Sequence, residues 1–380
     1  MEPKIRFKGF DSRLDKSLIG DFCHISTGKS NTQDKKDDGI YPFYVRSPHI
    51  ERSNKYLYDE EAVLTVGDGV GTGKVFHYVN GKYDLHQRVY RMFNFKDINA
   101  KYFYYLFSQK FYKRVMSMTA KSSVDSVRLE MISKMEIEYP SINEQETIAN
   151  YFTSLDSQIS ASTSRLASLK QMKAASLQAI FPQEGETVPK IRFKGFEGEW
   201  KKVKADSIFK TFNEKNRPDL PVLSATQDRG MVTRESIGYN IFHDTSNEAT
   251  YKHILPGQFV IHLRSFQGGF AHSEIEGIAS PAYTIMDFKN KDLYHDYYWR
   301  YVFMSKEFIK RLELITYGIR DGRSISYDEF KEMSFLVPSK EEQIKIASYL
   351  KNLDRQISLQ SQRLEKLKQI KSACLDKMFV

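Results

Sequence analysis

The sequence predicts an α+β protein in which two similar domains are separated by two long antiparallel helices, paired as a coiled coil in a pseudo-two-fold circular arrangement. Three observations predict this fold. The motif PKIRFKGF occurs twice without change, at 3–10 and 189–196. A longer segment, 140–181, recurs as 338–379 at a constant offset of 198 residues (338 − 140) without an insertion. Both copies of that segment carry apolar residues at coiled-coil spacing.

The repeats divide the chain into constant and variable parts. Two stretches between the repeats resemble each other little, which is typical of a duplication followed by divergence. With 380 residues, the chain is long enough for two domains that each bury a core. The predicted boundaries are 1–139 for the first domain, 140–181 for the first long helix, 182–337 for the second domain and 338–380 for the second long helix.

Each predicted long helix begins with a capping box directly after a proline. The boxes are Ser141 with Glu144 and Ser339 with Glu342. In such a box the two side chains satisfy each other's free backbone amides. The first helix is expected to end near Phe181, where a proline follows.

Apolar side chains recur at steps of four and three along both helices, and the two seams match in length and spacing. We therefore expect the helices to pair with each other. Two unrelated surface helices are the alternative, but the polar interruptions also match, Ser162 with Gln360 and Lys173 with Lys371. The predicted pairing residues are Ile148, Phe152, Leu155, Ile159, Leu166, Leu169, Ile346, Leu350, Leu353, Ile357, Leu364 and Leu367.

The short repeated motif predicts where the chain termini lie. Its second copy, 189–196, follows the first long helix directly. If a pseudo-two-fold axis relates the two halves, the first copy, 3–10, lies beside the end of the second long helix. The two termini are then neighbours.

The two variable domains share an order of strand, glycine turn, strand and aromatic helix, which predicts one α+β fold for both. The predicted elements are strands at 62–66 and 74–79 and a helix at about 100–116 in the first domain, and strands at 258–263 and 282–286 and a helix at about 294–314 in the second.

Charge and composition favour a polyanionic partner. The formal net charge is +9, which favours nucleic acid or anionic lipid. The two cysteines, Cys23 and Cys374, lie far apart and predict neither a disulfide framework nor a zinc site. No apolar run is long enough to span a membrane, and we expect a cytoplasmic protein with no membrane contact.

Polar, basic and aromatic residues cluster near the predicted turns. Arginine and glutamine match guanine and adenine edges, and lysine serves phosphates, although a solvated surface charge is the alternative at each position. The glycine-bounded segment 318–326 is the most favoured cluster. The candidate DNA-binding residues are Arg46, Lys74, Gln87, Arg88, Lys121 and Arg128 in the first domain and Arg234, Arg264, Gln267, Tyr283, Arg320 and Arg323 in the second.

The sequence contains none of the catalytic motifs considered below in complete form. The segment 66–74 resembles a phosphate-binding loop, but Asp68 stands where a Walker loop needs glycine and Val75 where it needs serine or threonine. We interpret this segment as a glycine-rich β-turn. The nine histidines lack metal-ligand spacing, and no Gly-x-Ser-x-Gly elbow occurs. We expect no catalytic residue and no metal site.

One family combines these features. The pattern Pro-Ser-x-x-Glu-Gln-x-x-Ile-Ala at 140–149 and 338–347, followed by Leu-Asp-x-x-Ile and Arg-Leu-x-x-Leu-Lys-Gln, resembles the specificity subunit of type I restriction–modification systems. So does the repeated PKIRFKGF motif, which continues to Trp200 in its second copy. The first copy departs from the pattern, with Leu14 where the second has Trp200, and this concerns local packing.

The resemblance implies two target-recognition domains that each read one half of a bipartite, asymmetric sequence in double-stranded DNA. It implies spacer helices that bind two methyltransferase subunits, which use S-adenosylmethionine to methylate adenine. Motor–nuclease subunits that need ATP and magnesium would join for cleavage. None of these cofactors is expected on this chain.

Two other functions fit the same sequence. One is an interaction scaffold in which the coiled coil joins domains that bind proteins. The other is an orphan regulator that occupies DNA without modifying it. Phosphate contacts make DNA affinity fall steeply with salt, so salt dependence separates the scaffold from the DNA-binding alternatives.

Overall fold

The computed structural model describes residues 3–69, 71–118, 126–226, 229–238, 245–262, 269–315 and 326–379. The chain divides into two compact units. Unit 1 comprises Met1–Ser164 together with Gln362–Val380, and unit 2 comprises Arg165–Ser361.

Unit 1 is built around a six-stranded sheet. Its elements are β1 (Asp15–Leu18), α1 (Ile19–Phe22), β2 (His24–Thr27), β3 (Tyr41–Tyr44), β4 (Ile50–Ser53), β5 (Tyr58–Val66), β6 (Phe76–Leu85), β7 (Val89–Phe93), α2 (Ala100–Ser117), α3 (Leu129–Ser133), β8 (Glu136–Tyr139) and the first part of α4 (Ile142–Ala179). The sheet order is β2-β7-β5-β6-β3-β4, and β1 pairs with β8.

Helix α2 covers the sheet of unit 1 with aromatic side chains. Asn99 caps the helix by accepting the backbone N–H of Tyr102 at 3.0 Å. Phe107 and Phe111 are fully buried, and both rings contact Phe76 of β6, with centroid distances of 5.5 and 6.3 Å. Aromatic burial therefore fixes this helix to the sheet.

Unit 2 repeats this plan with a smaller central sheet. Its elements are the last part of α4, β9 (Lys201–Lys204), α5 (Ala205–Ile208), β10 (Phe209–Phe212), β11 (Leu223–Thr226), β12 (Gly230–Thr233), β13 (Lys252–Ile254), β14 (Phe259–Ile261), β15 (Phe270–His272), β16 (Gly277–Ala279), β17 (Thr284–Phe288), α6 (Asp296–Met304), α7 (Lys306–Ile315), α8 (Tyr327–Glu332), β18 (Ser334–Val337) and the first part of α9 (Lys340–Met378).

The two units share one fold, as predicted. The order β10-β17-β14-β15 in unit 2 matches β2-β7-β5-β6 in unit 1, and all of these pairs are antiparallel. The pair β9–β18 likewise matches β1–β8. The units differ in their additions: β3 and β4 extend the sheet of unit 1, whereas unit 2 has the separate pairs β11–β12 and β13–β16.

One predicted helical stretch is divided in the structure into two helices. The stretch 294–314, predicted as a single helix, is divided into α6 and α7 at Ser305. Ser305 has an extended backbone, and its hydroxyl donates to the carbonyl of Val302 at 2.7 Å and accepts the N–H of Phe308 at 3.2 Å. A serine that caps a new helix in this way ends the preceding one.

The long helices confirm the prediction from the repeats. Helices α4 and α9 have 38 and 39 residues, or nearly 60 Å each at about 1.5 Å per residue. In unit 1, Tyr151 lies 3.4 Å from Cys374 and Asp156 lies 2.5 Å from Lys371. Because the residue number rises along α4 as it falls along α9, the two helices are antiparallel.

In unit 2 the end of α4 pairs with the start of α9, whereas in unit 1 the start of α4 pairs with the end of α9. Lys173 of α4 lies 2.5 Å from Asp354 of α9, and the hydroxyls of Ser176 and Tyr349 are 3.1 Å apart. Asp354 also accepts a hydrogen bond from Tyr301 of α6. The equivalent bond in unit 1 joins Tyr105 of α2 to Asp156.

The predicted pairing residues lie inside the two units. Phe152 stacks on Phe379 with a centroid distance of 5.7 Å and packs near Tyr105 of α2 at 5.0 Å. Side chains near the start of each long helix therefore belong to a domain core as well. Their contribution to pairing stays a prediction. Ile148, Phe152, Leu155, Leu169, Ile346, Leu350, Leu353 and Leu364 are buried, and Ile159, Leu166, Ile357 and Leu367 are half-buried.

The repeated PKIRFKGF motif closes each unit. In unit 1 the N–H of Ile5 donates to the carbonyl of Lys377 at 3.2 Å, so the two ends of the chain are neighbours, as predicted. In unit 2 the N–H of Ile191 donates to the carbonyl of Ala179 at 3.0 Å. Each copy of the motif thus binds the end of a long helix.

The glutamates of the predicted capping boxes have a different partner. Glu144 accepts two hydrogen bonds from Arg6 of the motif, at 3.0 and 2.5 Å, and Glu342 accepts two from Arg192, at 2.7 and 2.8 Å. Ser339 still caps α9 by accepting the N–H of Glu342 at 3.3 Å. The retained glutamate is therefore explained by the arginine of the short motif.

Candidate nucleic-acid interface

A turn rich in glycine brings several predicted residues together at one end of the sheet in unit 1. The described part of 67–75 connects β5 to β6 through hydrogen bonds from Thr72 to Gly69 and from Lys74 to Gly71, both at 3.0 Å. The prediction of a β-turn is therefore confirmed. Two glycines, Gly69 and Gly73, have positive φ, which side chains rarely adopt.

This turn is fastened to two neighbouring loops by its backbone. The N–H of Gly67 donates to the carbonyl of Arg88 at 2.8 Å, and its carbonyl accepts the N–H of Val127 at 2.7 Å. A Cβ atom at Gly67 would lie 2.8 Å from the Arg88 carbonyl, and one at Gly71 would lie 3.0 Å from the Arg46 carbonyl. The glycines therefore allow three chain segments to approach closely.

Asp68 joins two of the predicted arginines. Its Oδ1 lies 3.4 Å from Nη1 of Arg46, and its Oδ2 lies 3.6 Å from Nε of Arg88. The side chains of Arg46 and Arg88 are 49% and 63% exposed, and that of Asp68 is 24% exposed. One carboxylate thus lies between two exposed guanidinium groups.

The other described candidates of unit 1 lie on the same loops. Lys74 lies above the ring of Tyr112, 4.9 Å from its centroid, and Gln87 donates to the side chain of Asn31 at 2.5 Å. Arg128 is exposed at the start of α3, next to the Val127 that binds the turn. Lys121 lies outside the described residues. The arrangement places several cationic and amide groups at one end of the sheet.

The buried side chain of His86 fixes the backbone of this cluster at Arg88. Its Nδ1 accepts the backbone N–H of Arg88 at 3.0 Å, and its Nε2 lies 3.3 Å from the hydroxyl of Thr32. Burial, assisted by the charge of Arg46, lowers the pKa of His86 below its ordinary value. A neutral imidazole is required for Nδ1 to accept that hydrogen bond.

The lowered pKa of His86 predicts acid sensitivity. Above pH 6.5 the imidazole is neutral in the folded and unfolded chain, and below it the unfolded chain binds the proton more readily. We therefore expect His86→Gln to lose less thermal stability than the wild type between pH 7.5 and 5.5, as measured by circular dichroism. The exposed His49 gives the control, since His49→Gln should lose as much as the wild type. Equal losses in all three proteins would contradict the assignment.

In unit 2 the described residues contain two of the six candidates. Arg234 follows β12, and its Nε and Nη1 are buried with no hydrogen-bond partner among the described residues. Tyr283 is half-buried before β17, and its carbonyl accepts a hydrogen bond from Lys252 at 2.6 Å. No described contact joins Arg234 to Tyr283. Arg264, Gln267, Arg320 and Arg323, together with most of the favoured segment 318–326, lie outside the described residues.

Two residues of this candidate site, Asp68 and His86, do not stand out in the sequence. Asp68 differs from the glycine that a Walker loop needs, and His86 belongs to no motif. Their sequence signal is position alone: Asp68 lies between two glycines of the turn, and His86 directly precedes Gln87 and Arg88.

Two searches of the described residues gave no candidate. In these ranges no three His, Cys, Asp or Glu side chains are grouped to hold a metal ion. Nor does any described helix combine the length and apolar character needed to cross a membrane.

Comparisons with known proteins agree on one family. The model of the type I restriction modification DNA specificity domain matches residues 13–171 and again 197–369. The specificity subunit of the type I restriction enzyme EcoDI from Escherichia coli is 26% identical over 205 residues, which cover 53% of this chain and 45% of that protein. The match thus spans less than half the length of that relative.

Solved structures show the same fold. The S subunit of a type I restriction–modification system from M. genitalium has a TM-score of 0.68 and 16% identity, covering 100% of this chain and 99% of that chain. A second structure, reported for the complex assembly and conformational transition of the type I R-M system, has a TM-score of 0.50 and 14% identity, covering 98% and 99%. At these identities the likeness concerns the fold alone.

Proposed function

The chain belongs to the type I restriction modification DNA specificity family, and we propose that it recognises the DNA sequence for a restriction–modification complex without catalysing a reaction itself. The observation that carries the proposal is the cluster at the end of the unit 1 sheet. There Lys74, Gln87, Arg88 and Arg128 lie on segments joined by backbone hydrogen bonds, and Arg46 contacts Asp68 of the same turn. Arginine and glutamine can read base edges, while lysine contacts phosphates.

Each unit is proposed to read one half of a bipartite, asymmetric target in double-stranded DNA. The common sheet order supports an equivalent task for both units. Their different additions, β3–β4 in unit 1 against β11–β12 and β13–β16 in unit 2, support different base preferences. Arg264, Gln267, Tyr283, Arg320 and Arg323, together with Arg234, stay the candidate contacts of unit 2.

The long helices are proposed to set the spacing between the half-sites and to bind two methyltransferase subunits. Exposed apolar side chains on both helices support the binding role: Met172 of α4 and Ile344 and Leu359 of α9 face solvent in this chain. Exposed apolar side chains on a helix are available for burial by a protein partner. In this proposal the partner subunits, not this chain, use S-adenosylmethionine, and motor–nuclease subunits use ATP and magnesium. The complex would act in the cytoplasm, where the DNA lies.

Mapping of methylated adenines tests the proposal. The chain is co-expressed with its cognate methyltransferase in a host that lacks adenine methylation, and the genome is sequenced for N6-methyladenine. We expect one bipartite motif. The double variant Arg46→Ala/Arg88→Ala should change or relax one half of the motif and leave the other half unchanged. Unmethylated DNA that the chain still binds in a salt-dependent way would instead identify an orphan regulator, and the absence of DNA binding would favour a protein scaffold.

The same measurement tests the spacing role. Seven residues are inserted after Thr163 and, at the equivalent position of the repeat, after Ser361. The insertion lengthens each helix by about 10 Å, so the unread DNA spacer should grow by up to about three base pairs while the bases read stay the same. Insertion into one helix alone gives the matched control, because it destroys the pairing and should abolish methylation. The original spacer in the double insertion would refute the spacing role.

A further inference from the structure

We propose that Asp68 sets the selectivity of unit 1, because its carboxylate holds Arg46 and Arg88 away from DNA phosphates until a matching base sequence offers them better acceptors. The inference rests on the proposed function, since it concerns how the same cluster reads DNA. It assigns a role to an acidic side chain that lies between two exposed arginines.

The geometry places this carboxylate at the centre of the cluster. Each oxygen faces a different arginine, at 3.4 Å for Arg46 and 3.6 Å for Arg88. The backbone around Asp68 is fixed on both sides: Gly67 is hydrogen bonded to Arg88 and Val127, and Asp68 itself forms a β-bridge with Ser126. The backbone that carries the carboxylate is thus held in place, whereas the arginine side chains extend from separate loops.

The strength of these pairs suits a contact that opens on binding. Charge-assisted hydrogen bonds usually measure about 2.7–2.9 Å, and both pairs are longer. Exposed pairs of this kind contribute little to stability. The Asp68 contact with Arg88 uses Nε, so the two terminal nitrogens remain as the fork that matches O6 and N7 of guanine. A correct base can therefore replace the carboxylate at little cost.

A carboxylate here works against affinity for DNA in general. It neutralises part of the charge that Arg46 and Arg88 would offer to any phosphate, and it repels the phosphate directly. Such a group improves discrimination, because it repels the phosphates of any sequence, whereas only a matching base replaces it as an acceptor for the arginines. His86 adds to this by fixing the backbone of Arg88 through Nδ1, so that only the side chain has to move.

The variant Asp68→Asn tests the proposal, since it keeps the shape of the side chain and removes its charge. The full chain, with its methyltransferase, is titrated by fluorescence anisotropy with a cognate duplex and a scrambled duplex at two salt concentrations. We expect about tenfold tighter binding to the scrambled duplex, with up to two further phosphates contacted and a steeper salt dependence. Binding to the cognate duplex should change little, so discrimination falls.

Two further variants separate this role from a general effect of charge or folding. Asp59→Asn removes an exposed acid from β5, the strand that leads into the turn with Asp68, and should leave discrimination unchanged. Asp68→Asn combined with Arg46→Gln and Arg88→Gln should return binding of the scrambled duplex to the wild-type value or below. Thermal melting of each variant shows whether it is folded.

The outcomes distinguish the two proposals. A wild-type complex without preference for the cognate duplex would overturn the proposed function. A wild-type complex that discriminates, together with an Asp68→Asn variant of unchanged discrimination, would overturn only the role of Asp68. Equal weakening on both duplexes would overturn it as well, because that result describes a residue that merely supports the loop.

Discussion

Replacing Arg192 with methionine is expected to destabilise unit 2 by about 3–5 kcal/mol, because the change leaves the Glu342 carboxylate buried without its partner. The side chain of Glu342 is 1% exposed, and Arg192 gives it two hydrogen bonds. Arg192 also donates to the carbonyl of Gly198 at 2.5 Å. One guanidinium therefore joins the start of α9 to the segment that leads into β9.

Tryptophan fluorescence during chemical denaturation measures the free energy of unfolding of unit 2. The chain has two tryptophans, Trp200 and Trp299, and both are buried in unit 2. A second substitution, Glu342→Gln, should restore much of the loss because it removes the buried charge. The control is Lys204→Met, which breaks the exposed pair with Glu332 and should cost less than about 1 kcal/mol. Similar losses for Arg192→Met and Lys204→Met would refute the prediction.

Leu350→Ala is expected to cost about 2–5 kcal/mol in the same experiment, since it empties a fully buried position on α9. Leu350 belongs to the hydrophobic core of unit 2 and is the repeat equivalent of Phe152. The matched control is Leu359→Ala, the same change on the same helix at a side chain that is 55% exposed. It should change the free energy of unfolding by no more than about 0.5 kcal/mol.

The comparison of these two leucines tests the predicted helix seam. If both variants lose the same stability, burial along α9 does not follow the seam that the sequence predicts. If Leu350→Ala alone is destabilised, the seam position is required for the core of unit 2. Phe152→Ala extends the test to unit 1, where an introduced tryptophan would report unfolding.

The internal repeat explains how much of the fold could be predicted. Two copies of one segment reveal which positions keep the same type of residue. Their matched apolar spacing therefore predicts the helices α4 and α9. The pairs that close each unit could not be predicted, since Arg6 and Glu144 lie far apart in sequence and the capping box already explains Glu144. The break at Ser305 was missed because the apolar pattern of 294–314 continues through it.

The candidate site was predicted in composition but not in arrangement. Residue types suggest Arg46 and Arg88, whereas their meeting at Asp68 depends on the backbone bond between Gly67 and Arg88 and on the close approach of Gly71 to the Arg46 carbonyl. Such bonds leave no mark in a single sequence except the glycines that permit close approach. In unit 2 the short strands β11 to β16 lie in the diverged part of the chain, where the repeat gives no guidance.

The end of each long helix belongs to the unit opposite the one in which that helix begins, and this has a consequence for biosynthesis. Unit 2 is one continuous stretch, Arg165–Ser361, whereas unit 1 also needs Gln362–Val380. Met378 and Phe379 are buried in the core of unit 1, where Phe379 stacks on Phe152. During translation, the first 164 residues of unit 1 therefore wait for a segment that is made nearly two hundred positions later. Unit 2 begins later in the sequence but is fully synthesised before unit 1 is complete.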